Sequence, residues 1–465
     1  MVVDLDGTLV RSDTLIEMAF ELLGRFPLRA FNLPLWLWSG RAVLKRRLVE
    51  SIDIDVTTLP YEKAVLSRIR EAQAQGRPVY LVSASDQQLV RAVADHLGMF
   101  DGWFASDGAT NLSGTAKATR LVEEFGEEKF DYIGNGRADL PVWERAATAI
   151  AVDPSPRVGR RLSEFQKSVE RIVTAKPRHP WLTLLRPNQW SKNALLGVPL
   201  LTSHQFSPSA VVLALLAAIG FSACASAAYI LNDLVDIQAD RGHPSKRKRP
   251  FASGDVSFAT GAILGALCLI LATVLACAVS VELLGVMAIY LVITIGYSLF
   301  LKRKMMIDVV TLAGLYTIRV VAGAVAIRVP MSEWLLTFSM FIFLSLALIK
   351  RYSELAIRFE EGLPDPTNRN YKIDDLPVVL TLAAASGYCA VIVLALYLSS
   401  DAVRALYAHP SFLWLVCPLV IYWISRILLR SHRRMLHDDP IVYAMKDKVT
   451  WATAALIIVV GLVAA

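Results

Sequence analysis

Apolar and polar residues follow two different patterns along this chain, and the pattern changes near Pro177. Before that point, amphipathic segments alternate with short apolar runs that predict β-strands at Val2–Leu5, Val79–Val82, Tyr132–Ile133 and Ala149–Val152. Strands and helices that alternate in this way are typical of a parallel sheet with helices on both faces. We therefore predict an α/β, Rossmann-like domain over residues 1–155.

Two stretches of this first part do not follow the simple alternation. Thr14–Leu66 has helical periodicity directly after the first strand, which predicts a small helical cap. Arg157–Lys176 is polar, basic and helix-prone. We predict that it is helical and forms most of a linker, residues 156–180, that lies on a membrane surface.

From Trp181 onward the chain is a series of long apolar segments. Most of them approach the ~20 residues that a helix needs to cross a bilayer. We predict an all-α membrane domain over residues 181–465, with about nine spans near 190–204, 209–231, 257–279, 282–300, 307–327, 332–349, 377–399, 411–429 and 449–465.

The charges of the connecting loops predict the orientation of these spans. Loops after the second, fourth, sixth and eighth spans carry 18 lysines and arginines, whereas the alternate loops offer only Arg328 and Arg404. Positively charged loops favour the cytoplasmic side. The chain also opens on a strand and not on a signal peptide. Both observations predict a multi-pass protein of the inner or plasma membrane, with the first domain in the cytoplasm.

Composition narrows the classes of protein. A chain of 465 residues with 55% apolar and 19% charged residues is neither disordered nor water-soluble throughout. The net charge of +7 suits a cytoplasmic membrane face and anionic substrates. We expect the lipid bilayer as a partner, and no nucleic acid.

Three aspartates, Asp233, Asp236 and Asp240, lie at the predicted cytoplasmic end of the second span. Their spacing would place all three carboxylates on one face of a continuous helix. Mg²⁺ prefers carboxylate and phosphate oxygens, and a basic loop follows directly. We predict a metal and phosphate site, although acids scattered at a solvated helix end are the simpler alternative. Its phosphate-binding candidates are Asn232, Lys246, Arg247 and Arg249.

The segments Asn232–Asp240, Lys246–Pro250 and Ala252–Gly254 closely resemble the first aspartate-rich motif of the UbiA superfamily of intramembrane prenyltransferases. The resemblance extends from about Leu184 to Ala465 and implies nine helices. It also implies Mg²⁺-dependent departure of a diphosphate in a cavity open to the cytoplasm, with the three aspartates as catalytic residues and metal ligands.

The chain departs from the usual family pattern after the sixth span. Most members have a second aspartate-rich motif there, whereas this chain has Lys350–Leu355 with a lone Glu354. The variant, together with Asp439–Pro440, is similar to the branch that contains decaprenyl-phosphate phosphoribosyltransferase. That resemblance implies a polyprenyl phosphate acceptor and a phosphoribosyl pyrophosphate donor. Candidate substrate-binding residues are Lys192, Asn193, Tyr297, Lys302, Asp308, Arg319 and Lys350.

Several of these candidates have simpler roles as alternatives. Lysines at the membrane rim such as Lys350 also anchor to lipid headgroups. Asp308 begins a predicted span, where a carboxylate favours a helix N-terminus. Arg319 is the exception, because an arginine inside an apolar run is costly and therefore a functional candidate.

A second motif, Asp4-Leu-Asp6-Gly-Thr8, ends the first predicted strand. Two carboxylates on alternate residues of a strand share one face. The motif resembles the haloacid dehalogenase superfamily, whose phosphatases form an aspartyl phosphate. The resemblance implies Asp4 as nucleophile and Asp6 as general acid and base. It further implies Ser83 and Lys117 as phosphate-binding residues, and Asp4 with Asp139 as Mg²⁺ ligands.

Asn135 departs from the last acidic motif of that superfamily, where an acid is usual. The domain is therefore either an active phosphatase or a structural or regulatory module. For the membrane domain, the leading hypothesis is phosphoribosyl transfer to a polyprenyl phosphate in a cell-wall precursor pathway. The alternatives are an aromatic prenyltransferase that uses a prenyl diphosphate in a quinone-type pathway, and a non-catalytic membrane scaffold or transporter.

Overall fold

The computed structural model describes residues 1–174, 177–243, 245–366, 369–436 and 440–464. The chain divides into two compact units. The first unit comprises Met1–Leu184 and Ile230–Ile263, and the second comprises Leu185–Tyr229 and Leu264–Ala465.

A six-stranded parallel sheet forms the centre of the first unit, with the strand order β3-β2-β1-β4-β5-β6. The order reverses beside β1, so the carboxyl ends of β1, β2 and β4 meet at a topological switch point, where sites of such sheets form. The strands are β1 (Val2–Asp4), β2 (Tyr80–Asp86), β3 (Gly102–Ser106), β4 (Asp131–Gly134), β5 (Thr148–Val152) and β6 (Ser168–Ile172).

Helices cover both faces of this sheet, because apolar side chains alternate along its strands. Val3 packs in the core on one face, and Val2 packs beside Tyr132 and Trp143 in the core on the other. The helices are α1 (Thr14–Arg25), α2 (Pro27–Ala30), α3 (Leu33–Trp38), α4 (Arg41–Ser51), α5 (Lys63–Ala74), α6 (Gln87–Leu97), α7 (Thr115–Phe125), α8 (Leu140–Trp143), α9 (Pro156–Ser163) and α10 (Pro180–Leu184).

The predicted α/β class, the parallel sheet and the helical cap are confirmed. The prediction of a helix over 157–176 is wrong beyond Ser163, since β6 follows and pairs with β5. Val169 and Ile172 lie three residues apart, a spacing that is typical of a helix and hides this half-exposed edge strand. The sheet therefore continues past residue 155.

Among the remaining helices of the described residues, six have at least 18 residues and are apolar enough to cross a membrane. A seventh is the segment Pro410–His432, which is a 3₁₀ turn followed by a helix. The chain is therefore a multi-pass membrane protein. The helices are α11 (Pro187–Trp190), α12 (Val198–Thr202), α13 (Pro208–Val235), α14 (Ile237–Arg241), α15 (Phe258–Val279), α16 (Val281–Leu299), α17 (Ile307–Ala326), α18 (Glu333–Glu360), α19 (Leu376–Leu398), α20 (Asp401–Leu406), α21 (Val416–His432), α22 (Pro440–Lys446) and α23 (Lys448–Ala464).

In the described ranges, seven helices are long and apolar enough to span, or eight if the bent pair α22 and α23 counts as one span. The predicted count of nine is therefore approximate. The first predicted span, 190–204, is not one helix, because a 3₁₀ segment over Ser191–Gly197 separates α11 from α12. Gly197 and Pro199 lie at this junction, where neither favours a continuous α-helix.

Candidate active sites

The first candidate site lies at the carboxyl end of β1. Lys117 Nζ on α7 donates to Asp4 Oδ1 at 2.7 Å and to the Tyr132 hydroxyl at 3.1 Å, and it lies 3.8 Å from Asp139 Oδ1. All four side chains are buried. The parallel sheet thus brings Asp4, Lys117 and Asp139 together, as the sequence predicts.

Burial dominates the electrostatics of this cluster. It raises the pKa of Asp4 to about 7, although the positive charge of Lys117 opposes the increase. Burial alone would lower the pKa of Lys117, but the carboxylates of Asp4 and Asp139 outweigh it and leave that pKa above its usual value. The arrangement places a carboxylate nucleophile next to a cation that can stabilise an attacked phosphoryl group.

Asp6 lies in a separate set of hydrogen bonds. Its Oδ1 accepts from the backbone N–H and hydroxyl of Thr14 at 2.8 and 2.7 Å. Its Oδ2 accepts from Ser83 at 3.1 Å and Ser85 at 2.8 Å. The predicted residue Ser83 is therefore bonded to Asp6, and the start of α1 is fixed by the same carboxylate.

Asp139, one of the predicted Mg²⁺ ligands of this domain, accepts hydrogen bonds from the domain itself. Asp139 Oδ1 accepts from the Tyr132 hydroxyl at 2.6 Å, and its Oδ2 accepts from the backbone N–H groups of Asn135 and Gly136 at 3.0 and 2.9 Å. Asp139 therefore closes the turn after β4. Among the described residues, no group of three Asp, Glu, His or Cys side chains is placed to hold a metal ion. Asp4 and Asp139 therefore remain predicted Mg²⁺ ligands, and this arrangement does not test that role.

A cavity of about 470 Å³ opens beside Asp6. Thr8, Asp13 and Asn135 line it on the side of the sheet, and residues 254–259 line it as well. Gly254 has a φ of +73°, and a Cβ there would lie 2.5 Å from Cβ of Arg11, so only glycine allows this close approach.

The second candidate site is the aspartate motif. Its helix is not continuous: α13 ends at Val235, and Asp236 caps α14 with φ −101° and ψ 11°. The helix expected over the three aspartates is therefore interrupted at Asp236, whose Oδ2 accepts from Asn232 Nδ2 at 3.1 Å. At the break, Gly24 of α1 packs so tightly that a Cβ would lie 2.7 Å from Val235 Cγ1.

Asp233 and Asp240 nevertheless converge on one positive group. Arg249 Nη1 lies 3.2 Å from Asp233 Oδ1 and 2.6 Å from Asp240 Oδ2, and both carboxylates are almost fully buried. Burial raises the pKa of Asp240 to about 6. Carboxylate oxygens that already converge on a cation are chemically suited to Mg²⁺. The other two predicted cations differ, since Lys246 is half-buried and Arg247 is exposed on the loop.

Two clusters in the second unit hold most of the remaining candidates. In the first, Arg319 Nε donates to Asn193 Oδ1 at 3.0 Å and Nη2 donates to the Tyr290 hydroxyl at 3.2 Å. The guanidinium and the ammonium group of Lys192 lie 5.5 and 5.3 Å from the ring centre of Tyr316. The structure thus brings Lys192, Asn193 and Arg319 together.

Asp308 is the centre of the second cluster, an ion-pair network. Its Oδ1 accepts from the Tyr371 hydroxyl at 2.6 Å, and its Oδ2 lies 2.8 Å from Arg351 Nη2 and 3.5 Å from Arg369 Nη1. Arg351 also pairs with Glu354, and Arg369 donates to the Tyr297 hydroxyl at 3.3 Å. Asp308 is therefore fully buried and paired, and Tyr297 joins the same network. Lys302 is buried on a 3₁₀ turn, Lys350 is half-buried, and Asp439 lies outside the described residues.

Comparison with known proteins identifies the family of the chain that carries these sites. Residues 193–448, more than half of the chain, match the model of the UbiA prenyltransferase family. The chain belongs to the UbiA prenyltransferase family. Residues 1–144 match the model of the haloacid dehalogenase-like hydrolases, so this UbiA protein is a transferase with a fused hydrolase-like domain. Both families are typically Mg²⁺-dependent.

Three curated relatives support the assignment. An uncharacterized protein of Sinorhizobium fredii, y4nM, is 38% identical over 98% of this chain and 89% of its own length. The nodulation protein NoeC of Azorhizobium caulinodans is 36% identical over 56% of this chain and 85% of its own. The decaprenyl-phosphate phosphoribosyltransferase of Mycolicibacterium smegmatis is 32% identical, and the match covers 43% of this chain and 65% of that enzyme.

Sequence reasoning missed several residues of this UbiA protein that the fold places at the two sites. Thr14 and Ser85 bind Asp6, and Tyr132 links Lys117 to Asp139. Ser85 lies two residues after Ser83, a spacing that places both side chains on the same face of a strand. This spacing could have identified Ser85 from the sequence. No signal in the sequence identifies Tyr132, because a tyrosine inside an apolar strand reads as core.

Proposed function

We propose that the membrane domain transfers a phosphoribosyl group from phosphoribosyl pyrophosphate to a polyprenyl phosphate. In this reaction a phosphate oxygen of the lipid bonds to C1 of the ribose, and the bond from C1 to the diphosphate breaks. The products are a lipid-linked phosphoribose and diphosphate. The activity would serve a pathway of cell-wall precursors.

The observation that carries this proposal is the ion-pair network around Arg351. Glu354 occupies the place of the second aspartate-rich motif, and it pairs with Arg351 and lies 3.8 Å from Arg369 Nε. A carboxylate paired with two guanidinium groups is poorly suited to a second metal site. Cations at this place suit a donor and an acceptor that together carry more phosphate groups than a prenyl diphosphate.

Unsatisfied hydrogen-bond donors on Arg351 support the same conclusion. The side chain is 1% exposed, and within the described ranges no acceptor hydrogen-bonds its Nε. A buried donor is normally satisfied, so a phosphate oxygen of a bound substrate is a suitable partner. The similarity to decaprenyl-phosphate phosphoribosyltransferases, at 32% to 34% identity, favours the same chemistry.

The aspartate motif would hold the leaving group. We propose that Asp233 and Asp240, with Asn232 and Asp236, bind Mg²⁺, which would neutralise the departing diphosphate. Lys246, Arg247 and Arg249 would bind its oxygens. Lys192, Asn193 and Arg319 would bind a further phosphate, and the aromatic rings around Arg319 would keep its guanidinium oriented. Lys302, Lys350, Tyr297 and Asp308 remain predicted substrate-binding or positioning residues.

We also propose that the fused domain is a cytoplasmic phosphatase for a phosphomonoester of the same pathway. The intact pair of Asp4 and Lys117, 2.7 Å apart, favours this activity over a purely structural role. Asp4 would attack phosphorus as the bond from phosphorus to the ester oxygen breaks, and Asp6 would donate a proton to that oxygen. Water would then hydrolyse the aspartyl phosphate, which releases phosphate and restores Asp4. The charges of the loops favour the cytoplasm for both sites.

Substrate choice is the experiment that tests the transferase. The full chain in lipid nanodiscs is incubated with radiolabelled phosphoribosyl pyrophosphate and decaprenyl phosphate, and separately with a prenyl diphosphate and an aromatic acid. We expect a labelled lipid in the first reaction only. Product in the second reaction alone would make the protein an aromatic prenyltransferase and reject the proposal.

A further inference from the structure

The helical cap of the first unit exposes large apolar side chains that nothing in the described chain covers. Leu28 is 76% exposed, Phe31 is 80% exposed and Trp38 is 88% exposed. Together they form the cap patch, which consists of Phe26, Leu28, Phe31, Leu35, Leu37 and Trp38. Contiguous apolar surface of this kind normally marks an interaction site.

The local structure forces these side chains outward. The helices α2 and α3 are short, and each has a proline in its first turn that fixes its start. Ala30, Leu33 and Trp36 pack against the core of the domain. One set of side chains of this segment therefore packs into the core, and the side chains of the cap patch remain exposed to solvent.

All the charged side chains within the segment that carries the cap patch are positive. From Leu22 to Val49 the chain contains no aspartate or glutamate and six lysines and arginines. Arg25, Arg29, Arg41 and Arg47 are exposed. Arg25 and Arg47 pair with acids outside this stretch, Glu21 and Glu50, whereas Arg29 lies over the ring of Phe26 at 4.9 Å.

Leucine, phenylalanine and tryptophan beside arginines, with no acid among them, match the chemistry of the surface of a bilayer. Apolar side chains of such segments enter the headgroup region, tryptophan prefers the interface, and arginine attracts anionic lipids. The chain carries its own spanning helices, so the protein is always attached to a lipid bilayer. A protein partner would have to supply both an apolar groove and the acids.

We propose that the cap patch is an interfacial membrane anchor, which binds a lipid surface that contains anionic phospholipid. The anchor holds the hydrolase-like domain by a second attachment besides its covalent connections. It is independent of the chemistry at either candidate active site.

Depth measurements on the full chain test this proposal. All five native cysteines are replaced, and one spin label is attached at Trp38→Cys or, as a matched exposed control, at Trp103→Cys on β3. Both proteins are placed in nanodiscs of phosphatidylcholine with phosphatidylglycerol. We expect the label at position 38 to collide with oxygen, which enters the bilayer, but rarely with a nickel complex that stays in water. The label at position 103 should collide frequently with the nickel complex.

Further variants identify the source of the protection. Arg29→Glu with Arg41→Glu should restore nickel collisions at position 38, because the attraction to anionic lipid is lost. A label at position 38 that remains as accessible to nickel as the control would overturn the proposal. Equal protection in a lipid-free amphipol would also overturn it, since a second copy of the chain would then cover the patch.

Discussion

Several buried carboxylates of this protein lie next to positively charged side chains. Asp4 has Lys117, Asp233 and Asp240 share Arg249, and Asp308 has Arg351. A buried charge is tolerated only when it is paired and hydrogen-bonded. Burial raises the pKa values of Asp4 and Asp240. Groups with perturbed pKa values cluster at functional sites, so phosphate chemistry is expected at these two carboxylates.

The pair at β1 predicts the effect of removing the nucleophile. Asp4→Asn should reduce phosphate release from a phosphomonoester by about two orders of magnitude or more, because the amide cannot attack phosphorus. The measurement is phosphate release by the full chain, with the exposed Asp374→Asn as control. Release by Asp4→Asn at the rate of the parent would mean that the domain is not a phosphatase of this type.

Most of the candidate residues could be predicted from their spacing, because the motifs are local. Asp4, Asp6 and Ser83 lie on strands whose ends a parallel sheet must bring together. The role of Asp139 as a turn cap could not be predicted, since it depends on Tyr132 and on two backbone N–H groups. Next to the break at Asp236, Val235 packs against Gly24 of α1, a contact between distant segments that spacing in the sequence does not predict.

Helix α1 connects the two candidate sites of the first unit. Thr14 at its start donates to Asp6, and Glu17 in its first turn forms a two-point ion pair with Arg241, the residue after Asp240. Arg241 also donates from Nε to the carbonyl of Ala252 at 3.0 Å. The side chains of Glu17 and Arg241 are 0% and 2% exposed, so this pair is excluded from water.

Breaking the pair should therefore be costly. Arg241→Ala leaves the carboxylate of Glu17 buried without its guanidinium, which costs about 3–5 kcal/mol. Arg161→Ala, which removes a pair that is exposed on α9, should cost no more than ~1 kcal/mol. Thermal unfolding of the two variants measures the difference. Equal midpoints would show that α1 is not held by this pair.

In the second unit, helix α17 packs closely against the backbone of the 3₁₀ segment over Ser191–Gly197. A Cβ on Gly323 would lie 2.1 Å from the carbonyl oxygen of Leu196, whereas a Cβ on Gly314 of the same helix meets nothing within 4 Å. Gly323→Ala should therefore destabilise the protein by about 1–3 kcal/mol. Gly314→Ala should be neutral or stabilise by up to ~1 kcal/mol, since alanine favours a helix. Thermal unfolding of the two variants measures the difference. Equal unfolding temperatures for Gly323→Ala and Gly314→Ala would contradict this contact.

Apolar periodicity predicted the long helices well, because spans of about 20 residues dominate the hydropathy of the second half. Two segments of the chain were not predicted correctly from the apolar pattern. The segment over 190–204 contains as many apolar residues as a span but is divided by a 3₁₀ segment. Strand β3 was not predicted, since Gly102–Ser106 mixes aromatic and small residues without clear alternation.

At the scale of the whole molecule, a hydrolase-like domain and a UbiA transferase share one chain of 465 residues. The y4nM protein of Sinorhizobium fredii is similar to this chain over 98% of it, so the similarity extends over both domains. If both domains act on the same lipid-linked phosphate, as proposed, their covalent connection raises the effective concentration of the product of one domain at the other.

The proposed orientation predicts which loops meet which side of the membrane. In a cysteine-free chain, Ser245→Cys in the basic loop should react with an impermeant maleimide only in inside-out vesicles, because positive loops favour the cytoplasm. Val281→Cys, which is 76% exposed at the start of α16, should react only in right-side-out vesicles. The reverse pattern would place the aspartate motif on the wrong side for a cytoplasmic donor.

The central claim is that the aspartate motif drives departure of a diphosphate. Its most direct test is release of labelled diphosphate from phosphoribosyl pyrophosphate when decaprenyl phosphate is added to the full chain. We predict release by the parent and by Asp374→Asn, and a loss of about a hundredfold or more in Asp240→Asn, because charge stabilisation of the leaving group is removed. Undiminished release by Asp240→Asn would contradict the account.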